Sequence, residues 1–422
     1  MVEKLPDSIT NNYINATGLL TALVCTGVFY IYKIPMTTAS LAVLLICYAV
    51  PIALLEWIVL RVYRYPSTGL LWRQKLRPLS YRRIIIKITG LAGTLTTVAF
   101  LYRMFPEYSN NYYDSYWPFV KQLLGCIIVS APFYIAFIDQ RLENPEDELW
   151  QAGLFFTGTW TEVDWKKLRE HALNWLIKAY FLPLMMISLF SNMVLLVGWN
   201  KGFDHFLLIY DFLWNSLYTV DLLVVTCGYI LSLRLHDSHI RTPNPYAAAW
   251  AVALVCYKPF SNLRFSSYLP YGSEEAWKGW FSCETIFQVL WGTCILILTA
   301  MYSYTSLNFG LRFSNLTHRG IITNGAYRYS KHPAYITKNL SWWLAAMPFV
   351  GTGTGFDIFR TCIMLMLVNV IYYLRAKTEE KHLSTDPVYV QYALYMNEKA
   401  LLAPLGRLLP FLQYKPPPQL AR

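Results

Sequence analysis

"TASLAVLLICYAVPIALLEWIVL", residues 38–60, contains a single charged side chain, Glu56. A bilayer's hydrocarbon core takes roughly 20 apolar residues per helix, so this run is long enough to cross one. The residues that follow are of opposite character. Between 61 and 87 lie Arg61, Arg64, Arg73, Lys75, Arg77, Arg82, Arg83 and Lys87, with no acid. An apolar run abutting such a cluster reads as a transmembrane helix whose basic end faces the cytoplasm.

Working outward, the same pattern recurs. The chain has 422 residues, 55% of them hydrophobic and only 14% charged, with a mean hydropathy of +0.32. A soluble domain carries about 25% charged residues. Ten apolar stretches qualify as spans, near 16–33, 38–60, 84–102, 117–138, 175–198, 207–233, 246–260, 284–305, 335–350 and 357–374. The seventh and ninth are short. The expected fold is therefore all-α, a polytopic transmembrane helix bundle of about ten spans. Alternation from the basic loop puts both termini in the cytoplasm, together with 306–333, which carries Arg312, Arg319, Arg328 and Lys331. The polar insert 139–174 reads as a cap or interfacial helix on that side. The net charge of +11 belongs to these membrane-flanking loops, and no basic run lies outside them, so nucleic acid is not an expected partner. The eight cysteines show no CxxC and no paired spacing, which indicates neither a disulfide framework nor a zinc site. The N-terminus "MVEKLPDSIT" lacks the basic start and small-residue cleavage site of a signal peptide.

A loose boundary near 270 separates an N-terminal helical bundle, 1–270, from a segment where chemistry gathers, 271–422. In "ITNGAYRYSKHPAY", 322–335, Gly325 and Pro333 punctuate a loop. His332 exchanges a proton near neutral pH, and Pro333 suits the first turn of a helix. A helix N-terminus flanked by basic side chains favours an anion such as a carboxylate or phosphate. Equally, such a loop is an ordinary membrane-flanking basic segment with a Tyr anchor. In "LRAKTEEKHLSTDPVYVQYALY", 374–395, Arg375 and Glu379 share a helical face and can pair, either as a site or as a snorkelling ion pair. Glu56, Asp211 and Asp221 lie inside spans, where an acid is functional by default, although Asp211 and Asp221 are poorly aligned on a 3.6-residue period. "HDSH", 236–239, is a short tract without further ligands, and no metal site is expected there.

Taken together, these C-terminal segments resemble the isoprenylcysteine carboxyl methyltransferase family and the wider group that includes membrane phospholipid methyltransferases. The family pattern is Gly-x-Tyr, Arg-His-Pro-x-Tyr, a helical hairpin, Arg-x-x-x-Glu-Glu-x-x-Leu and Tyr-x-x-Tyr. It falls on Gly325 and Tyr327; Lys331, His332, Pro333 and Tyr335; Arg375, Glu379, Glu380 and Leu383; and Tyr389 and Tyr392. The resemblance covers about the last 120 residues. Lys331 replaces the usual Arg, Asp386–Pro387 stands in a shortened stretch before Tyr389, and the N-terminal bundle exceeds the minimal family core. The resemblance implies S-adenosylmethionine as methyl donor and a lipophilic membrane substrate. It implies cofactor contacts at Gly325, Tyr327, Lys331, His332, Pro333, Tyr335 and Glu380, and places Arg375 and Glu379 at the reacting groups. Trp342 and Trp343 stand nearby, as packing for the cofactor or as an interfacial aromatic belt.

A carboxylate substrate is ionised at neutral pH and needs only orientation by Arg375. An ammonium substrate must lose a proton first, which Glu379 would accept. Both residues are present, so the sequence leaves carboxyl and amine methylation open. Two other classes compete: an NADPH-dependent sterol reductase, against which "KHPAYITK" departs from the Arg-His-x-Asn-Tyr-x-Gly-Asp pattern, and a non-enzymatic transporter or scaffold.

Overall fold

The chain is described from a computed structural model, in which residues 4–72, 74–262, 276–281, 285–350 and 354–417 are placed. Arg73 and the boundary at 270 lie outside the described residues. Among the described residues, fourteen α-helices follow in order: α1 (Asn12–Ile31), α2 (Thr38–Leu55), α3 (Tyr81–Met104), α4 (Tyr116–Asp139), α5 (Glu148–Phe156), α6 (Trp165–Val197), α7 (Phe206–Ile230), α8 (Ala247–Leu254), α9 (Ala276–Trp280), α10 (Ile286–Leu307), α11 (Pro333–Ala346), α12 (Gly355–Leu383), α13 (Pro387–Lys399) and α14 (Ala403–Leu408). One two-residue ribbon, β1 (Thr242–Pro243) with β2 (Thr317–His318), is antiparallel.

Among the described residues, eight helices, α1 to α4, α6, α7, α10 and α12, are long and apolar enough to cross a membrane. Large apolar side chains on their outer faces stay exposed, such as Ile128, Val129 and Phe133 on α4 and Phe356 and Phe359 on α12. In a bilayer those faces meet lipid and need no protein cover. The architecture is the expected all-α polytopic bundle, but the count of ten is not met.

The two short candidates explain the difference. In 246–260 only α8 forms, and its 8 residues reach about 12 Å. Pro259, which has no backbone donor, stands against helix continuing beyond it. In 335–350, α11 has 14 residues, about 21 Å, and stops at Met347 in the left-handed region before Pro348. The chain nevertheless reaches the opposite end of the bundle in both regions. The ribbon at 242–243 lies beside the C-terminal end of α7. Trp277 instead packs on Tyr210, in the second turn of α7, and Met347 joins the same cluster.

The centre of the bundle is α1, α2, α6 and α7, where Leu41, Tyr48, Ile52, Met186, Leu189, Met193 and Val224 are fully enclosed. The insert 139–174 supplies α5 and the start of α6. α5 lies against α3 at Gly90 and Gly153, where a methyl group on Gly90 would sit 2.6 Å from the Leu149 carbonyl oxygen. Glu148, at the start of α5, accepts a 2.8 Å hydrogen bond from Asn174.

The N-terminal and C-terminal regions are bound together at one end. Residues 4–15 form a strap on the segment that follows α10. Ile9 N–H donates to the Ile321 carbonyl (3.2 Å), Thr323 N–H to Ser8 Oγ (3.2 Å) and Asn324 Nδ2 to the Thr10 carbonyl (2.6 Å). Asn15 Nδ2 donates to the Leu307 carbonyl (2.9 Å). The basic loop belongs to this end too, since Arg234 Nη1 donates to the Thr68 carbonyl (3.3 Å) and Arg241 N–H to the His318 carbonyl (2.9 Å).

Candidate active site

The motif loop is built by its neighbours. Gly325 has φ +55° and lies so close to the Asn308 carboxamide that a Cβ would collide with it. That contact lets Asn308 Oδ1 accept from Ala326 N–H at 3.0 Å. From α13, Tyr392 donates to the carbonyls of Tyr327 (2.6 Å) and Ser330 (3.2 Å). Pro333 then starts α11, and the His332 side chain is left free of capping duty. Its ring stacks on Tyr335, with centroids 5.6 Å apart and planes 6° from parallel.

α12 carries the second motif on two faces. Glu380 points toward the motif loop and collects two ammonium groups and an imidazole: Lys331 at 2.9 Å, Lys377 at 2.9 Å and His332 at 3.3 Å. Burial pulls the Lys331 ammonium below the ordinary lysine range, against the opposing charge of Glu380. Lys331 also lies 3.5 Å from Asn397 Oδ1, and Lys377 donates to the Gln413 carbonyl at 3.0 Å.

Arg375 and Glu379 occupy the other face, and they do not form the expected ion pair. Glu379 accepts instead from the Tyr335 hydroxyl at 3.0 Å. Arg375 donates to Asn315 Oδ1 at 3.1 Å, and its guanidinium lies over the rings of Tyr335, Tyr372 and Tyr257 at 5.4, 5.1 and 5.9 Å. Each member of the sequence pair has a competing partner from another element. Nor is Arg375 snorkelling in water, because it is only 8% exposed.

Two cavities meet at this helix. A polar one lies between α8, α10, α11 and α12 and is lined by Tyr257, Asn315, Tyr327, Lys338, Arg375 and Glu379 among others. A larger, mainly apolar one, about 400 Å³, lies between α11, α12, α13 and α14 and is lined by Leu340, Ala376, Lys377, Glu380, Asn397 and Leu405 among others. Lys331, His332, Tyr335 and Tyr372 line both and form the partition. Gly325 and Pro333 line neither; they border a separate cleft with Tyr329 and Thr337.

Residues 279–385 match the family model of the isoprenylcysteine carboxyl methyltransferase (ICMT) family. The match covers a quarter of the chain, from just before α10 to the end of α12, and takes in the motif loop and Arg375 to Leu383 but not Tyr389 and Tyr392. It supports a membrane methyltransferase. No curated protein and no solved structure matches the chain.

The ICMT-like segment does not complete either cavity. Tyr257 closes the polar one from outside the matched residues, and Asn397 and Gln413 close the apolar one. None of these three carries a local sequence signal, because each reaches the site from a distant stretch. Lys338 was detectable as a lone cation on an apolar helix. The remaining acids divide. Asp221 accepts from Tyr302 at 2.9 Å and from Ser306, both of which border the polar cavity. Asp211 pairs with Lys278 at 2.7 Å, and Glu56 pairs with Arg312 at 2.5 Å with both side chains buried. In "HDSH", Asp237 pairs with Arg241 at 3.2 Å. Burial raises the Asp237 carboxyl above its ordinary range, against the opposing effect of Arg241 and Arg312.

Proposed function

We propose that the chain is an S-adenosylmethionine-dependent methyltransferase that acts on the carboxylate of a lipophilic membrane substrate. The observation that carries this reading is the pair of cavities meeting at His332, Tyr335 and Tyr372, with Arg375 and Glu379 on one side of α12 and Glu380 on the other. Methyl transfer is an in-line displacement, so donor and nucleophile approach from opposite sides. Two chambers with a common partition suit that requirement.

The residues of the apolar cavity fit the cofactor by the chemistry of their donor set. Lys331 and Lys377 offer cations to an α-carboxylate, Glu380 offers an acceptor to an α-ammonium, and Leu340, Ala376 and Leu405 offer apolar walls to a purine. When bound, S-adenosylmethionine supplies a sulfonium-activated methyl group whose carbon–sulfur electron pair returns to sulfur as the new bond forms. Tyr335 and Tyr372 present aromatic rings to a cation at the partition, worth about 0.5–2 kcal/mol. Arg375 orients the substrate anion with a charge-assisted hydrogen bond. Its guanidinium has no carboxylate partner among the described residues, which favours an anionic substrate over an amine. A carboxylate needs no base, so Glu379 then serves to hold Tyr335.

Calorimetry on the detergent-purified protein tests the reading. S-adenosylmethionine and S-adenosylhomocysteine are expected to bind, and NADPH is not; preferential NADPH binding would overturn the methyltransferase. Orientation follows from the basic loop lying at the site's end of the bundle, which we assign to the cytoplasm. Cysteines introduced near 75, 325 and 385 are expected to label from one common side.

A further inference from the structure

The polar cavity extends past the motif residues to a second polar end. There Tyr302, Thr305 and Ser306 of α10 face Lys338 of α11. Lys338 lies one helical turn beyond Ala334 and belongs to neither motif. Its ammonium rests on the rings of Tyr302, 4.9 Å from the centroid, and Trp342, 5.2 Å away.

Two simpler roles for Lys338 are poorly matched by this geometry. A snorkelling lysine sends its head toward the nearer membrane surface. Here the head is held between the rings of Tyr302 and Trp342. A structural ion pair would place Lys338 on Asp221. The two charges feel each other, but Asp221 takes its hydrogen bonds from the hydroxyls of Tyr302 and Ser306.

Of the other cations lining the cavity, Arg312 is held by Glu56, Lys331 by Glu380 and Arg319 by the Gly228 carbonyl, while Arg375 donates to the neutral Asn315 and is the substrate cation assigned above. Among the described residues, Lys338 has aromatic contacts but no hydrogen-bond acceptor. A cation in an enclosed site without a hydrogen-bond acceptor of its own is costly. Here it faces a cavity that also takes a substrate.

We propose that Lys338 is a second anchoring point of the polar cavity, binding an anionic oxygen group, carboxylate or phosphate, that the lipophilic substrate carries in addition to the group held at Arg375. The proposal rests on the substrate assignment made above. The rings of Trp342 and Tyr372, in contact at 5.3 Å, stand between the two cations and separate the two anchoring points. Lys338 is thus a specificity-determining residue that distinguishes lipids with two anionic groups from lipids with one.

The test uses the full chain in nanodiscs of zwitterionic lipid and three prenyl thioether probes. The first carries one carboxylate, the second two carboxylates, and the third one carboxylate and one phosphate. Probe affinity is measured with and without S-adenosylhomocysteine. The wild type is expected to bind at least one dianionic probe tenfold or more tightly than the monocarboxylate, and the tighter of the two dianions identifies the group. Lys338→Gln is expected to bring the ratio of dianion to monocarboxylate affinity down to about one, while Lys338→Arg retains the wild-type ratio. Equal affinity of the wild type for all three probes, or a preference that survives in Lys338→Gln, would overturn the proposal. If Lys338→Gln does not fold, the wild-type comparison and Lys338→Arg still decide. Failure of S-adenosylhomocysteine to bind would overturn the methyltransferase reading alone, because the probe comparison does not require it.

Discussion

Glu379 and Glu380 are neighbours on α12, yet they live in opposite surroundings. Glu380 is ringed by Lys331, His332 and Lys377 at 2.9–3.3 Å, whereas Glu379 has one neutral partner, the Tyr335 hydroxyl. Consecutive helical residues are about 100° apart, enough to put one carboxylate into each chamber. A carboxylate flanked by two lysines holds elements together and keeps a charged pocket in shape. On the opposite face, Arg375 has no carboxylate partner among the described residues, the basis on which we assign it to a substrate anion. The lesson is that a Glu-Glu doublet on a helix between two cavities occupies two environments, not one.

The largest expected effect tests the substrate face. Arg375→Lys is expected to lower methyl transfer by 10²-fold or more, since a lost transition-state contact of a few kcal/mol has that consequence. Binding of S-adenosylhomocysteine is expected to change by no more than a few fold. Isotope-labelled methyl transfer and calorimetry read the two quantities, and turnover close to wild type would make Arg375 a packing residue. Arg375→Ala is a poorer probe: the side chain is buried against three tyrosines, so its removal is expected to lower the melting temperature as well.

The comparison between the carboxylates is broken or sharpened by a matched pair. Glu380→Gln is expected to weaken S-adenosylhomocysteine binding at least tenfold, as is His332→Ala, while Glu379→Gln leaves it within about threefold and lowers turnover. Equal losses of affinity in the two glutamine variants would show that the doublet acts as a unit.

A smaller effect is expected at the loop that feeds both faces. Gly325→Ala places a side chain in the left-handed region, at a cost of roughly 1–2 kcal/mol, and pushes on Asn308. The melting temperature is expected to fall by several degrees, with turnover dropping less than at Arg375. An unchanged melting temperature would mean that the strap and Tyr392 hold the loop without Asn308.

The smallest effect lies away from both chambers. Burial raises the Glu148 carboxyl to about 7. A raised acid gives stability that is complete below its unfolded value, about 4.3, and is lost as pH rises through the folded value. Glu148→Gln is therefore expected to flatten the decline in melting temperature between pH 5 and pH 8. Parallel profiles for variant and wild type would remove Glu148 from the pH response.

Much of this protein was legible in one dimension. Long apolar runs such as 38–60 announce spanning helices because a bilayer demands length and apolarity together, and these are additive along the chain. The two motif stretches were legible because Gly325, His332–Pro333 and Arg375 to Glu380 are each short-range patterns. What those residues touch was not. The pairing of Arg375 with Glu379, allowed by their spacing, is absent because Tyr335 and Asn315 arrive from other elements. The count of ten was not reached at α8 and α11, whose helices are shorter than their apolar stretches. Lys338, Tyr257 and Asn397 entered the site only through packing. Helix-forming and membrane-spanning tendencies are properties of a local stretch, so the sequence by itself determined the elements and the motifs. The assignment of each charged group to a chamber depends on which distant side chains reach it first, and only the tertiary structure decided that.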